Sequence, residues 1–216
     1  MLTPSESAAV EGFESITLAY HCIVVLVPAT VPLEKITLDQ LRDTFGESGS
    51  NTDSRWGDLG LDGPIGSSAI ALQVPAVGLG IGVEFFRQIV LGNRPFQTTV
   101  ARYATPAELV LRFAGDHRAM ALAPVRPPNG VDLKIVPVAA SAKEPAFSPT
   151  PENLHSGDYP LALPLRIVFR RDMTQTLRPL LRFLFSDELV LILEQAQLIP
   201  LAPAARRQQR SAFEKP

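Results

Sequence analysis

A single cysteine, Cys22, and three histidines, His21, His117 and His155, are all that 216 residues offer to disulfides and soft metals. One thiol closes no internal disulfide. No Cys-x-x-Cys or His-Glu-x-x-His spacing is present to hold zinc, so neither a metal nor any other cofactor is expected. Charge is scarce as well: 19% of residues are charged and the formal net charge is −2. Without a basic excess there is no general attraction to polyanions, and no nucleic-acid partner is expected. Long apolar runs are missing too. Ile23 to Val27 falls far short of the ~20 residues of a membrane helix, and Pro28 and Pro32 follow it, so no membrane insertion is expected. Met1 to Tyr20 carry Glu6, Glu11 and Glu14 and no basic residue, the reverse of a secretory signal. If this is the natural start of the protein, a cytoplasmic location follows. There is no internal repeat, no Gly-x-Ser-x-Gly elbow, and no patterned partner that would make Cys22 a nucleophile, so no motif supports an enzyme.

What is present is a hydrophobic fraction of 46%, enough for a normal globular core, and twenty prolines that cluster between apolar segments. Thr3-Pro4-Ser5-Glu6 has the form of a capped helix start and predicts a short helix over 4–13. Ile16 to Val27 predicts a strand buried on both faces, as in a parallel sheet. Thr37 and Gln40 form a capping box for a helix through Phe45. A loop follows over 46–64, with Trp56 and Leu59 as inward anchors. Ile70 to Val74 predicts a strand, 83–91 a helix, 106–114 a helix capped by Thr105, Ala119 to Ala123 a buried strand, and Val131 to Val138 a further strand. Proline-rich loop is expected to about residue 158. It is followed by a strand at Leu163 to Phe169, a helix from about Met173 to Phe185, and one from Ser186 to about Gln197 that Ser186 caps. Strands alternating with helices make the fold class α/β.

Each candidate for chemistry has a plainer structural reading beside it. Gly78-x-Gly80, between a strand and a helix, could free backbone N–H groups for an anion, but a dinucleotide loop needs glycine where Val83 stands, and a tight turn suffices. His21 could be a ligand contact or a base at a strand end; a core or hinge histidine is the simpler assignment. His117 and His155 fall in turns and are expected in solvent. Arg170, Arg171 and Asp172 form a charge run of the kind found at a solvated strand end.

Four segments taken in order resemble one family. They are Ile36 to Phe45 (Ile-Thr-Leu-Asp-Gln-Leu-Arg-Asp-Thr-Phe), Trp56 to Gly60, Pro151 to Leu161, and Phe183 to Glu188 continuing to Pro200-Leu201. Together they are similar to the phosphate-binding solute receptors of bacterial ABC transporters, over roughly residues 3–201. The resemblance implies a type II periplasmic-binding-protein-like fold, in which two α/β lobes are joined by crossing strands and an anion sits in the cleft. On that map 1–29 and 161–201 are a partial first lobe carrying the crossover strands, 30–160 is a complete second lobe, and 202–216 is a disordered basic tail. The first lobe's opening strands and phosphate loop have no counterpart here. The resemblance also implies a periplasmic or extracellular setting, a small anion or other solute as ligand, an ABC permease as partner, and a protein partner or homodimer to cover the incomplete lobe.

The ligand positions implied by the resemblance are His21, Cys22, Gln73, Val77, Gly78 and Leu79. Where the family has Asp-Gly, this chain has His21-Cys22; where it has Arg-x-x-x-Ser-Gly-Thr, this chain runs from Gln73 to Leu79 and keeps only Gly78. Gln73 replaces the arginine, and Val77 and Leu79 replace hydroxyl donors with groups that cannot donate. Each hydrogen bond lost to a charged ligand is worth about 1.5–3 kcal/mol. Three such losses remove most of the roughly 8 kcal/mol behind a micromolar affinity. Phosphate binding of the family's kind is therefore not expected.

Overall fold

The computed structural model describes residues 12–47, 54–76, 81–124 and 132–213. Most of the helix expected over 4–13 lies outside them. The chain divides into two compact units, unit 1 comprising residues up to His21 and from Pro164 onward, and unit 2 comprising Cys22–Leu163. β1 (Phe13–Pro28) passes through the first boundary and β8 (Ala162–Arg170) through the second.

Unit 2 is built on a sheet whose order is β4 (Ala101–Tyr103), β3 (Ala71–Pro75), β5 (Ala119–Pro124), β1, β6 (Leu133–Val136). β3 runs parallel to β4 and β5, whereas β1 pairs antiparallel with both β5 and β6. The parallel setting expected for β1 is thus incorrect, although its burial is as expected. Every residue from Cys22 to Pro28 is buried because β1 is an interior strand. A second, two-stranded parallel sheet joins β2 (Ile36–Thr37) to β7 (Val138–Ala139).

The helices of unit 2 follow their caps. α1 (Leu38–Phe45) begins in the capping box foreseen from the sequence: Thr37 Oγ1 accepts from the Gln40 N–H at 3.1 Å, and Gln40 Oε1 accepts from the Thr37 N–H at 2.9 Å. Thr37→Ala is expected to cost about 1 kcal/mol of stability, read from urea melts. A loss of only a few tenths would mean that the box is not formed in solution. Phe45 at the end of α1 meets Phe86 of α3 (Ile81–Ile89) edge-on with ring centroids 5.7 Å apart. α2 (Gly63–Gly66) is a single turn that closes against the 3-10 turn Trp56–Leu59. A Cβ on Gly66 would fall 2.2 Å from the Leu61 carbonyl oxygen, so glycine is required there. Trp56 and Leu59 are both buried, as foreseen. α4 (Pro106–Gly115) is capped by Thr105.

The proline-rich stretch before residue 158 is not all loop. Thr150 caps α5 (Pro151–Ser156), with Pro151 in its first turn and Gly157 ending it at φ +83°. The Thr-Pro start is the same as at Thr105, and α5 places His155 on an exposed helix face rather than in a turn. Tyr159 then reaches back to β1, its hydroxyl donating to the Ile23 carbonyl at 2.8 Å while the Ile23 N–H donates to Leu161 at 3.0 Å.

Unit 1 holds the first part of β1, most of β8, β9 (Ile199–Pro200), and helices α6 (Thr174–Leu184), α7 (Asp187–Gln195) and α8 (Pro203–Ala212). β9 pairs antiparallel with β1 at Ala19 and Tyr20. Ser186 stands at the cap of α7 as expected, but its hydroxyl makes no cap bond and is buried without a partner. The tail expected to be disordered from residue 202 instead folds as α8. Arg206 on α8 pairs with Asp187 at 2.9 Å, and Phe213 stacks on Phe185 at 6.1 Å. The basic side chains suggested solvent, yet the helix carries its own contacts to α7. Among the described residues no helix is long and apolar enough to cross a membrane.

Candidate functional site

Gln73 lies on β3 beside Ala121 of β5 and is only 8% exposed. A buried carboxamide needs partners, and it finds one in Arg112, whose Nη1 donates to Gln73 Oε1 at 2.9 Å. α4 delivers that arginine. Thr105 Oγ1 accepts from the Glu108 N–H at 3.1 Å, which sets the helix register, and Glu108 and Arg112 then share one face a turn apart. The two are ion-paired. Glu108 also accepts from the Ala104 N–H at 2.7 Å; this bond, followed by the bond from Arg112, holds its carboxyl below the usual range.

The other terminal nitrogen of Arg112 donates to the Arg102 carbonyl at 2.9 Å. Arg102 in turn sets its guanidinium 5.6 Å from the centre of the Phe96 ring and 3.5 Å from the Pro75 carbonyl. The Arg112 guanidinium is thus divided among a carboxamide, a carbonyl and a carboxylate. An arginine does stand next to position 73, but on a different element, and its charge is matched by Glu108. The sequence reading did not single out Arg112. The signal available was the Glu108–Arg112 spacing of four on a capped helix, which by itself indicates only a surface ion pair.

His21 and Cys22 fall where β1 leaves one unit and enters the other. His21, the last residue of the first segment of unit 1, is half-buried, and its Nδ1 is buried without a hydrogen-bond partner. Desolvation lowers its pKa, so the imidazole is neutral at pH 7. Cys22 is 1% exposed and its thiol is free. Burial pushes that thiol up to about 12, so it is not a thiolate nucleophile at neutral pH. At neutral pH neither residue offers a positive charge to an anion.

The residues named from the sequence do not all converge. Gln73 and Leu26 are both in register with Ala121, so they share one row of the sheet. Cys22 lies four residues farther along β1, roughly 13 Å at ~3.3 Å per residue, and two strands across. Val77, Gly78 and Leu79 lie outside the described residues. His117 and His155 are exposed, as expected. Among the described residues no group of three or more His, Cys, Asp or Glu side chains could hold a metal ion.

No protein-family model matches the chain, and no curated protein matches it in sequence. Solved structures do match. A possible phosphate binding protein from Planctomyces limnophilus superposes with a TM-score of 0.77 at 18% identity, covering 100% of this chain and 79% of the other. PstS from Borrelia burgdorferi gives 0.73 at 16% identity over 94% and 77%. An ABC-type phosphate transport receptor from Vibrio cholerae gives 0.66 at 17% identity over 92% and 76%. The fold is therefore the type II periplasmic-binding fold of phosphate-binding receptors, as the sequence resemblance implied.

Proposed function

We propose that this chain is a non-catalytic binding module on the phosphate-receptor fold, one that no longer holds phosphate through the family's side chains and takes another small solute or a protein partner. The observation that carries this reading is the closed network at Gln73. The position the resemblance assigns to a free arginine is filled by a buried carboxamide, bonded to an arginine that Glu108 already neutralises. The sequence adds the apolar Val77 and Leu79 where hydroxyl donors belong. A non-catalytic role is supported by Cys22, whose thiol stays protonated, and by His21, whose buried nitrogen has no acid or nucleophile bonded to it.

Calorimetric titration with inorganic phosphate tests the proposal. The expected result is no saturable heat at micromolar phosphate. One-to-one saturable binding in that range overturns it and favours the second reading, a working anion receptor of an ABC transport system in a periplasmic setting. That second reading draws on the likeness to solved proteins described as phosphate-binding.

A further inference from the structure

The composition of β8, apolar from Leu163 to Phe169 apart from Arg166, is that of a strand written for burial, yet Phe169 alone of its nine residues is buried. Leu165 is 41% exposed and Val168 57%, and these two side chains project to opposite faces of the strand. Both faces thus carry an exposed apolar side chain, although Phe169 is buried and Leu163 and Ile167 are half-buried. By contrast, every residue of β5 except its terminal proline is buried. Among the described residues β1 is the only strand paired with β8. That pairing extends from the Arg171 N–H on the Gly12 carbonyl to the Ile23 N–H on the Leu161 carbonyl, an antiparallel run along the whole strand. One edge of β8 is thereby filled, and the other offers backbone donors and acceptors to an incoming strand. The helix that follows continues the theme, with Leu180 and Phe183 of α6 exposed at 50% and 43%.

Charge selects the occupant. Residues 162–184 contain five arginines and one carboxylate, Asp172, which pairs with Arg170. If two copies of β8 paired antiparallel about Val168, each would bring the five arginines of 162–184 against one carboxylate, a like-charge excess that disfavours self-pairing. A second polypeptide with carboxylates on that face meets no such penalty. We propose that unit 1 receives an extended acidic and apolar segment of another polypeptide, added as a strand to the free edge of β8. Its apolar side chains lie over Leu165 and Ile167, and a carboxylate lies beside Arg166. This surface belongs to unit 1 and the Gln73 network to unit 2, so the phosphate titration and the test of this proposal can fail independently.

The test uses two fluorescently labelled nine-residue peptides, one alternating valine with glutamate and the other valine with lysine, titrated with the full chain by anisotropy. The glutamate peptide is expected to bind saturably and at least tenfold more tightly, and hydrogen exchange is expected to slow at the amides of 164–170. Arg166→Glu, an exposed substitution whose folding circular dichroism checks, is expected to reverse the preference between the peptides. Any one of three results overturns the proposal: equal or absent binding of both peptides, protection that lies elsewhere than β8, or a peptide-free dimer in sedimentation velocity with the 164–170 amides protected.

Discussion

Trp56→Ala is expected to lower the unfolding free energy by about 3–5 kcal/mol, the range for removing a fully buried large aromatic side chain. Trp56 is 0% exposed, and between Ser54 and Ile70 its only buried companions are Leu59 and Ile70. The segment is otherwise held by backbone bonds, such as the Trp56 N–H to the Ser68 carbonyl at 3.1 Å and the Leu61 N–H to the Trp56 carbonyl at 3.2 Å. Without the indole this polar segment loses its attachment to the core just ahead of β3. Trp56→Phe should cost less than half as much. It keeps most of the apolar volume, and it removes an Nε1–H that is buried without an acceptor, a defect worth about 1–3 kcal/mol. Urea melts followed by circular dichroism measure both variants, since Trp56 is the only tryptophan and fluorescence is lost with it. Equal losses for alanine and phenylalanine would show that the indole N–H is satisfied after all.

Stability is expected to fall steeply in alkali. Burial raises Cys22 from its ordinary value near 9 to about 12, and it pushes Tyr103 and Tyr159 well above the usual phenol range. Each group holds its proton more tightly when folded than when unfolded. Their contribution is therefore complete below the unfolded pKa values and is lost as pH rises from about 9 toward the folded values. The slope is roughly 1.4 kcal/mol per pH unit for each group once its unfolded form is ionised. Both tyrosines also anchor the fold through their hydroxyls, Tyr103 to the Leu122 carbonyl and Tyr159 to the Ile23 carbonyl, each at 2.8 Å. His21 acts in the opposite direction. Its lowered pKa makes the unfolded chain bind the extra proton, so its contribution is lost as pH falls through about 6.5. Urea midpoints should accordingly be highest between about pH 7 and 9. In Cys22→Ala the decline above pH 9 should be shallower. An unchanged alkaline slope in that variant would remove the thiol from the account.

Much of the scaffold was legible because its signals are local. Thr37 and Gln40 specify their capping box within four residues, and Thr105-Pro106 does the same for α4. Trp56 stood out as the one aromatic residue in a polar loop. The same kind of signal at Thr150-Pro151 was outweighed by the surrounding prolines, and the arginines of the tail concealed a helix tied to α7 by Arg206. At the site, a glutamine at position 73, where the resemblance implies an arginine, was plain. The identity of its partner was not, because Arg112 is thirty-nine residues away and nothing in its neighbourhood marks it as facing inward.

The sequence alone determined the α/β class and most helix starts. These follow from hydrogen-bonding groups and apolar spacing within single short segments. The tertiary structure decided that β1 pairs antiparallel, that Arg112 closes on Gln73, and that β8, though composed for burial, has among the described residues a strand on one edge only and leaves Leu165 and Val168 exposed. Those outcomes depend on which distant segments come together. No local pattern encodes that choice, because each cross-chain contact is weak alone and only their sum selects the arrangement.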